Sequence, residues 1–220
     1  MKALIIGQSG GLGQALSARF ADIGYSVTGL SRRTGNFDIR DEASIQKNIA
    51  AVGGGFDRVI IATGVLNGAG QGPEKALSAL TLEALADQFT VNAFGPALIL
   101  KHLIPLVPRD RAIKIGVLSA RVGSIGDNAL GGWYSYRAAK TALNQLVHTA
   151  AIEWARRNPL SVLALLHPGT VQTGFSAAYH GSHPTITADK SAAMLIETLE
   201  SLKPQNTGSF YDYRGAPVVW

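Results

Sequence analysis

The chain begins Met1-Lys2-Ala3-Leu4-Ile5-Ile6-Gly7-Gln8-Ser9-Gly10-Gly11-Leu12-Gly13-Gln14-Ala15-Leu16, an apolar run of strand length that breaks into glycines and resumes with helical periodicity. This pattern predicts a strand, a tight loop and a helix. Glycines let a backbone approach a phosphate closely, and a helix that begins near Leu12 offers unpaired N–H groups to a pyrophosphate. The glycines therefore form a candidate dinucleotide cradle, although their spacing differs from the common Gly-x-Gly-x-x-Gly fingerprint.

Strand and helix signals alternate along the rest of the chain. Short apolar runs rich in β-formers predict strands at residues 3–6, Ser26–Leu30, 58–62, 113–118 and 161–166. Helical periodicity predicts helices at residues 14–23, 43–51, Leu82–Leu106, Tyr134–Arg157 and Ala188–Ser201. The alternation predicts an α/β fold, a single-domain Rossmann-type doubly wound parallel sheet flanked by helices over residues 1–220. The tail 209–220 predicts a last edge strand with a turn.

Tyr136 and Lys140 stand four residues apart at the start of an Ala/Leu-rich helical stretch. That spacing places both side chains on one helical face. A free phenol titrates near ~10, and a cation one turn away stabilises phenolate and lowers the phenol pKa. The pair is therefore a candidate for acid/base chemistry on an alcohol or a carbonyl. The alternative is a half-buried tyrosine beside a solvated lysine.

The two patterns together resemble the short-chain dehydrogenase/reductase family from end to end. Asn92 resembles the family's helix asparagine, which holds a water in a proton relay, and the run 167–173 resembles the Pro-Gly-x-Val-x-Thr segment at the nicotinamide end of the cofactor. The runs 119–128 and 133–140 resemble the bacterial C-factor-like branch, which is linked to cell–cell signalling and to carbonyl reduction. The resemblance implies cofactor contacts at Gly7, Ser9, Gly11, Leu12, Gly13, Ala62, Thr63, Gly64, Tyr136, Lys140, Pro168, Gly169, Val171 and Thr173.

Cofactor preference depends on the residues that follow the second predicted strand. An acidic residue there accepts hydrogen bonds from the adenosine ribose, whereas a guanidinium pairs with a 2′-phosphate through charge-assisted bidentate bonds. The chain carries Ser31, Arg32 and Arg33 at this point and no acid. It therefore favours NADP(H) over NAD(H), unless the arginines are only a surface pair. Downstream, Asp38 and Ile39 resemble the family's acidic-apolar pair at the adenine ring.

The chain departs from the family at the catalytic serine. The family motif is Ser-Ser-x-x-Gly, whose second serine hydrogen-bonds the substrate oxygen, and the matching run here is Ser119-Ala120-Arg121-Val122-Gly123. Alignment places Ala120 at the catalytic position. Ser119 reaches the site if the strand end is bulged by one residue, because adjacent strand residues face opposite ways. Ser119 is our provisional holder of the substrate oxygen; Ser124, or no serine at all, stays open.

Composition is typical of a compact enzyme. The 220 residues are 46% hydrophobic and 16% charged, which is enough to bury a substantial core. No uninterrupted apolar run reaches the ~18 residues of a membrane span, and the N-terminus lacks a signal-peptide pattern, so we expect a cytoplasmic protein with no membrane partner. The absence of cysteine excludes disulfides, and His180 and His183 lie in a Gly/Ser/Pro-rich stretch that indicates a loop rather than a metal site. The net charge of +5 is diffuse, so nucleic acid is not an expected partner.

These patterns predict hydride transfer between NADP(H) and a small or medium carbonyl or secondary alcohol, with Tyr136 as the proton donor or acceptor. In this reaction we expect Lys140 to lower the Tyr136 pKa and Asn92 to anchor a relay water. We expect residues 174–184, which include Phe175, Tyr179, His180 and His183, to form a lid over the substrate. The alternatives are a dinucleotide-binding regulator with little chemistry, or a sugar epimerase or dehydratase of the extended family, which the chain length disfavours. Small and apolar residues on the helix Tyr134–Arg157 predict a homodimer or homotetramer, although they also suit packing within one chain.

Overall fold

The computed structural model describes residues 1–177 and 184–220. Its strands form one parallel sheet in the order β2-β1-β3-β4-β5-β6. The chain moves outward from β1 to β2, then crosses back over β1 to β3 and continues in the opposite direction. This is the doubly wound arrangement that the sequence predicts. The strands are β1 (Lys2–Ile6), β2 (Ser26–Leu30), β3 (Arg58–Ile61), β4 (Lys114–Leu118), β5 (Val162–His167) and β6 (Phe210–Asp212).

Helices cover both faces of the sheet because successive strand residues point to opposite sides. In β1, Leu4 and Ile6 face one layer of the core, whereas Ala3 and Ile5 face the other. The first layer contains side chains of α2, α4 and α5, and the second contains those of α1 and α6. The helices are α1 (Gly11–Asp22), α2 (Glu42–Val52), α3 (Leu82–Phe89), α4 (Gly95–Leu103), α5 (Tyr134–Arg157) and α6 (Ala188–Ser201).

The predicted helix Leu82–Leu106 is a continuous helical segment of mixed geometry. A π-helical turn, Thr90–Phe94, joins α3 to α4, and a 3-10 turn ends the segment at Leu106. By length and composition alone this segment could cross a membrane, with a mean hydropathy of 1.3. In the fold, however, its apolar residues Val91, Ile99 and Leu103 are packed in the core against the sheet. Core packing therefore accounts for its apolar character.

The loop between β1 and α1 is held by backbone contacts too close for a side chain. Gly7 has a φ of +96°, and a Cβ atom there would lie 2.7 Å from the carbonyl oxygen of Ala62 at the end of β3. A Cβ atom on Gly13 would lie 2.2 Å from the carbonyl oxygen of Gly7. These glycines bring the start of α1 against the carboxyl ends of the two central strands.

The tail of the chain closes the sheet edge as a short strand with a turn, as predicted. After β6 the chain reverses, and Val218 N–H donates to the Phe210 carbonyl over 2.8 Å. The Trp220 ring stacks on Phe210 with 6.1 Å between centroids. The Trp220 carbonyl also accepts from the backbone N–H of Gly126, in the loop before α5, over 2.8 Å.

An ion-pair cluster ties α6 to the amino edge of the sheet, opposite the glycine loop. The Arg58 guanidinium binds the Glu200 carboxylate through two bonds, one of 2.8 Å from Nη2. Lys114 Nζ lies 3.7 Å from the same carboxylate. Burial alone would raise the pKa of Glu200, but the hydrogen bonds and charges of Arg58 and Lys114 outweigh it and hold that pKa below its usual value.

We expect Glu200→Gln to lower the free energy of unfolding by about 1–2 kcal/mol, because it leaves two half-buried cations without their counter-charge while Glu200 itself is partly exposed. The depressed pKa means that the carboxylate stabilises the fold above the unfolded pKa of about 4.3 and loses this effect as pH falls through the folded value. Urea unfolding at pH 7 and at pH 3.5 measures both effects. Glu153→Gln, which removes an exposed 3.9 Å pair with Arg157, is the control; an equal loss in both variants would contradict the assignment.

Candidate active site

A cleft of about 840 Å³ opens at the carboxyl edge of the sheet, where β1, β3, β4 and β5 end. Its lining includes most of the predicted cofactor residues from the loop before α1, the end of β3, the start of α5 and the segment after β5. These are Gly11, Leu12, Gly13, Ala62, Thr63, Gly64, Tyr136, Lys140, Pro168, Gly169, Val171 and Thr173. Motifs that are far apart in the sequence therefore meet at one site.

The N-terminus of α1 forms one end of the cleft without a capping side chain. Gly10 is the N-cap residue and supplies no capping side chain, no described side chain accepts from the N–H groups of the first turn, and that turn contains no acidic residue. The first N–H groups of the helix and the positive end of its dipole are therefore available to an anion. Gly11 also permits close approach, since a Cβ atom there would lie 2.8 Å from Thr173 Cγ2. The arrangement fits a dinucleotide pyrophosphate.

Tyr136 and Lys140 lie together in the wall of the cleft, 5% and 4% exposed. Lys140 Nζ donates to the Leu118 carbonyl over 3.1 Å and lies 6.0 Å from the centre of the Tyr136 ring. A Cβ atom on Gly64 would lie 3.8 Å from Lys140 Nζ, so glycine keeps space open in front of the ammonium. Next to it, the buried Thr63 Oγ1 has no hydrogen-bond partner among the residues that the structure describes. This open polar floor fits the ribose end of a nicotinamide cofactor.

The protonation states of the pair are set by burial. Burial raises the pKa of Tyr136 well above its usual value and lowers the pKa of Lys140 to about 7. The Tyr136 shift is opposite to the one expected from the sequence, because withdrawing the phenolate from water outweighs the neighbouring ammonium, which is itself costly to bury. In the protein alone the phenol is therefore protonated at neutral pH.

Asn92 lies behind the cleft in the π-helical turn and is fully buried. Its side-chain oxygen accepts from the Val65 N–H over 3.1 Å, and its nitrogen donates to the Val65 carbonyl over 2.9 Å and to Gln88. The Asn92 amide thus holds the loop after β3 in place. A Cβ atom on Gly64 would meet the Asn92 oxygen at 2.9 Å, which fixes glycine at that position.

The hydroxyl groups of the serines that follow β4 have hydrogen-bond partners within the protein. Ser119 is 3% exposed, and its hydroxyl donates to Asn144 Oδ1 on α5 over 2.6 Å. The Ser124 hydroxyl accepts from the Asp127 N–H over 3.0 Å and lies outside the cleft lining. Ala120 is in the lining. Ser119 also lines the cleft, and β4 and β5 stay in parallel register without a bulge through Leu118 and Leu166.

The start of α5 is positioned by a contact that sequence reasoning missed. Glu74, from the loop after β3, is 7% exposed and accepts from both the backbone N–H and the hydroxyl of Ser135, over 3.2 and 2.5 Å. Trp133 precedes the helix in the left-handed conformation, with a φ of 56°. The rings of Trp133 and Phe175 flank Tyr136 at 6.1 and 6.5 Å. A lone glutamate in a loop carries no sequence signal for this capping role.

His167 is a further residue of the cleft, and the sequence pattern indicated it only as the first residue of the run 167–173. It ends β5, and its Nδ1 accepts from the Arg121 N–H over 3.3 Å. The Arg121 guanidinium pairs with Asp127 at 3.3 Å and with Asp212 at 3.2 Å. Burial first, and then the Arg121 charge, lower the pKa of His167 to about 4. The imidazole is therefore neutral. Its place directly before Pro-Gly at a strand end was the signal available in the sequence.

The predicted adenosine end lies beyond the cleft lining. Arg32 and Arg33 are exposed, and neither makes an ion pair or hydrogen bond within residues 1–177 and 184–220. Ser31 is buried and its hydroxyl is bonded to that of Thr34 at 2.9 Å. Of the other predicted contacts, the lining also omits Gly7, Ser9, Asp38 and Ile39.

Part of the predicted lid cannot be placed. Tyr179, His180 and His183 lie outside the described residues, whereas Phe175 is 45% exposed and lines the cleft. In the described part of the chain, no three histidine or acidic side chains converge as they would around a metal ion.

Comparisons with known proteins agree with this geometry. The chain is 35% identical over 144 residues to a 1-hydroxy-2-glutathionyl-2-methyl-3-butene dehydrogenase of Rhodococcus sp., a match that covers 66% of this chain and 62% of that protein. It is 32% identical over 145 residues to the C-signal of Myxococcus xanthus, covering 66% of this chain and 84% of that protein.

A solved structure of a short-chain dehydrogenase/reductase from Burkholderia multivorans with bound NADP superposes with a TM-score of 0.83 at 27% identity. The superposition covers 100% of this chain and 99% of that one. The family described as enoyl-(acyl carrier protein) reductase matches residues 9–207. The glycine loop, the Tyr136–Lys140 pair and these matches lead to one conclusion: the chain belongs to the short-chain dehydrogenase/reductase family.

Proposed function

We propose that the protein is an NADP(H)-dependent oxidoreductase that transfers hydride between the nicotinamide and a small or medium carbonyl or secondary alcohol. The observation that carries the proposal is the convergence of Tyr136 and Lys140 on the same cleft as the uncapped start of α1. A dinucleotide anchored at the helix would extend across the floor at Gly64 toward the phenol. The bound nicotinamide would supply the hydride.

The side chains of this protein then handle the substrate oxygen. In the direction of reduction, the protonated Tyr136 hydroxyl donates its proton to that oxygen as the carbon–hydrogen bond forms. The raised pKa of Tyr136 keeps this proton in place at neutral pH. Lys140 stands one helical turn away, where it can bond the nicotinamide ribose and, when charged, lower the pKa of the phenol for the reverse reaction. Asn92 holds the floor and anchors the proposed relay water.

The arginines after β2 support NADP(H) as the preferred cofactor. Arg32 and Arg33 are exposed cations without an internal partner among the described residues. They follow the strand that neighbours β1, beside the glycine loop. A guanidinium here is suited to a 2′-phosphate, and no acid is present to accept from a ribose hydroxyl.

The cleft walls support a largely apolar substrate. The apolar side chains of the lining include Leu66, Val122, Leu130, Trp133 and Phe175, and the rings of Trp133 and Phe175 flank Tyr136. Pockets of this kind bind a ligand by apolar contact and orient it with a few polar groups.

We expect a homo-oligomer, since Leu146 and Ile152 expose apolar surface on the outer side of α5.

A second candidate is a nucleotide-binding regulator with little catalysis. It is favoured by Ala120, which removes the usual hydroxyl, and by the similarity to the C-signal of Myxococcus xanthus. This candidate needs the dinucleotide site but not the Tyr136 proton.

The first prediction concerns Tyr136→Phe, which removes the transferable proton while keeping the ring. We expect turnover of NADPH with a panel of aldehydes, α-diketones, quinones and cyclic ketones, followed at 340 nm, to fall at least ~10²-fold while NADPH still binds. Tyr134→Phe, on the exposed side of the same helix, is the control. Tight NADPH binding without turnover by the unmodified protein would favour the regulator.

The second prediction concerns the cofactor. Replacing Arg32 and Arg33 by alanine should raise the KM for NADPH by at least roughly 10–100-fold and leave that for NADH almost unchanged, because even one charge-assisted bond to the 2′-phosphate contributes about 1.5–3 kcal/mol. Arg109→Ala, an exposed arginine near the amino edge of the sheet, controls for the loss of charge. An equal rise for both cofactors would argue against a 2′-phosphate site.

The third prediction concerns pH. The pKa of Lys140 is about 7 in the folded protein and near ~10.4 in the unfolded chain. Between these values the unfolded state binds one more proton, so this group makes the fold more stable as pH rises, by up to ~1.4 kcal/mol per unit. Relative to Lys140→Met, the unmodified protein should therefore gain stability from pH 7 to 9 in urea unfolding. Lys47→Met, on the exposed face of α2, should show no such trend; a flat difference for Lys140→Met would contradict the lowered pKa of Lys140.

A further inference from the structure

The only hydroxyl that the end of β4 brings to the cleft among the described residues, that of Ser119, already donates its hydrogen to another side chain. Ala120 lines the cleft with a methyl group, and Ser119, which also lines it, donates its hydroxyl hydrogen to Asn144 Oδ1 over 2.6 Å. The Ser124 hydroxyl is occupied by the Asp127 N–H outside the lining. A carbonyl oxygen that gains negative charge during reduction is strongly stabilised by a second donor besides the acid. The proposed reaction therefore needs that donor from another element.

His167 stands on the neighbouring strand at the same level. Leu118 of β4 is in register with Leu166 of β5, and the Ser119 N–H donates to the Leu166 carbonyl over 2.8 Å. The next residue of β5 is His167, so its ring lies across from the turn that carries Ala120. The 3.3 Å bond from the Arg121 N–H to Nδ1 holds the imidazole against this turn.

The same bond decides which ring nitrogen carries the proton. A backbone N–H can only donate, so Nδ1 accepts and the proton of the neutral ring is on Nε2. Among the described residues, none accepts from Nε2, although the ring lines the cleft. The charged groups around the ring are Arg121, Asp127 and Asp212, and these are paired with one another. They fix the turn against Nδ1, and because His167 lines the cleft its Nε2–H group is left as the donor for a bound ligand.

We propose that His167 binds the substrate oxygen through its Nε2–H group, in place of the hydroxyl that Ala120 lacks. This inference rests on the proposed oxidoreductase function. During reduction the carbon receives hydride and the oxygen receives the Tyr136 proton, while His167 keeps its own proton and only donates a hydrogen bond. His167 thus joins Tyr136 as a catalytic residue, and Arg121 positions it.

Two substitutions separate the donor from the contact that holds it. His167→Asn keeps an acceptor where Nδ1 stands but has no donor at the Nε2 position. His167→Gln carries an amide N–H that reaches about as far as Nε2. We expect kcat/KM for a carbonyl substrate to fall about 10²-fold in His167→Asn and much less in His167→Gln. NADPH affinity, measured by fluorescence titration, and the thermal midpoint should stay close to those of the unmodified protein in both.

Placing a serine at position 120 tests whether a hydroxyl can replace the His167 donor. Ala120→Ser should recover at least about tenfold of the lost kcat/KM when added to His167→Asn, since the serine hydroxyl then replaces the missing imidazole donor. No loss in His167→Asn, or equal losses in both variants without rescue by Ala120→Ser, would overturn the role of His167 while leaving the oxidoreductase intact. Absence of turnover in the unmodified protein despite tight NADPH binding would instead overturn the proposed function, and the His167 inference with it.

Discussion

The close backbone crossing of Gly7, Gly13 and Ala62 is the constraint on which the rest of the site depends. A hydrogen atom in place of each glycine side chain lets the start of α1 rest on the carboxyl ends of β1 and β3. Only with this contact does an uncapped helix end, with its partial positive charge, lie on the same side of the sheet as Tyr136. A second glycine is required at the other end of the cleft, where a Cβ atom on Gly64 would lie 2.9 Å from Asn92 Oδ1.

The Tyr136–Lys140 pair shows how the protein balances function against stability. Both groups are almost fully buried, and each is disfavoured in its charged form. The pair is therefore least costly as a neutral phenol beside an amine, a state suited to giving a proton away. A bound ligand that adds hydrogen-bond partners or negative charge would shift this balance toward the ammonium. The charge of Lys140 then depends on what occupies the cleft.

The sequence predicts most of the fold, since alternating apolar runs and helical stretches specify a parallel sheet, and the paired motifs specify which edge carries the site. It is less informative where a tertiary contact decides a local choice. The π-helical turn at Asn92 follows from the hydrogen bonds of its amide to Val65 and Gln88, which no local propensity encodes. The direction of the Ser119 hydroxyl is fixed by Asn144, a partner on α5. The Tyr136 pKa depends on burial, which spacing alone does not reveal, and His167 gains its importance only beside Ala120.

The hydrogen bond from the Gly126 N–H to the Trp220 carbonyl links the tail of the chain to the entrance of the cleft. The loop that carries Asp127 and Leu130 at the cleft entrance is bonded to the tail through the Trp220 carbonyl, and Trp220 in turn leans on Phe210 and His148. The tail therefore connects the edge strand β6 to the loop at the cleft entrance. A substitution in the tail that displaces Trp220 therefore acts on the cleft entrance, while Tyr136 and Lys140 stay on their own helix.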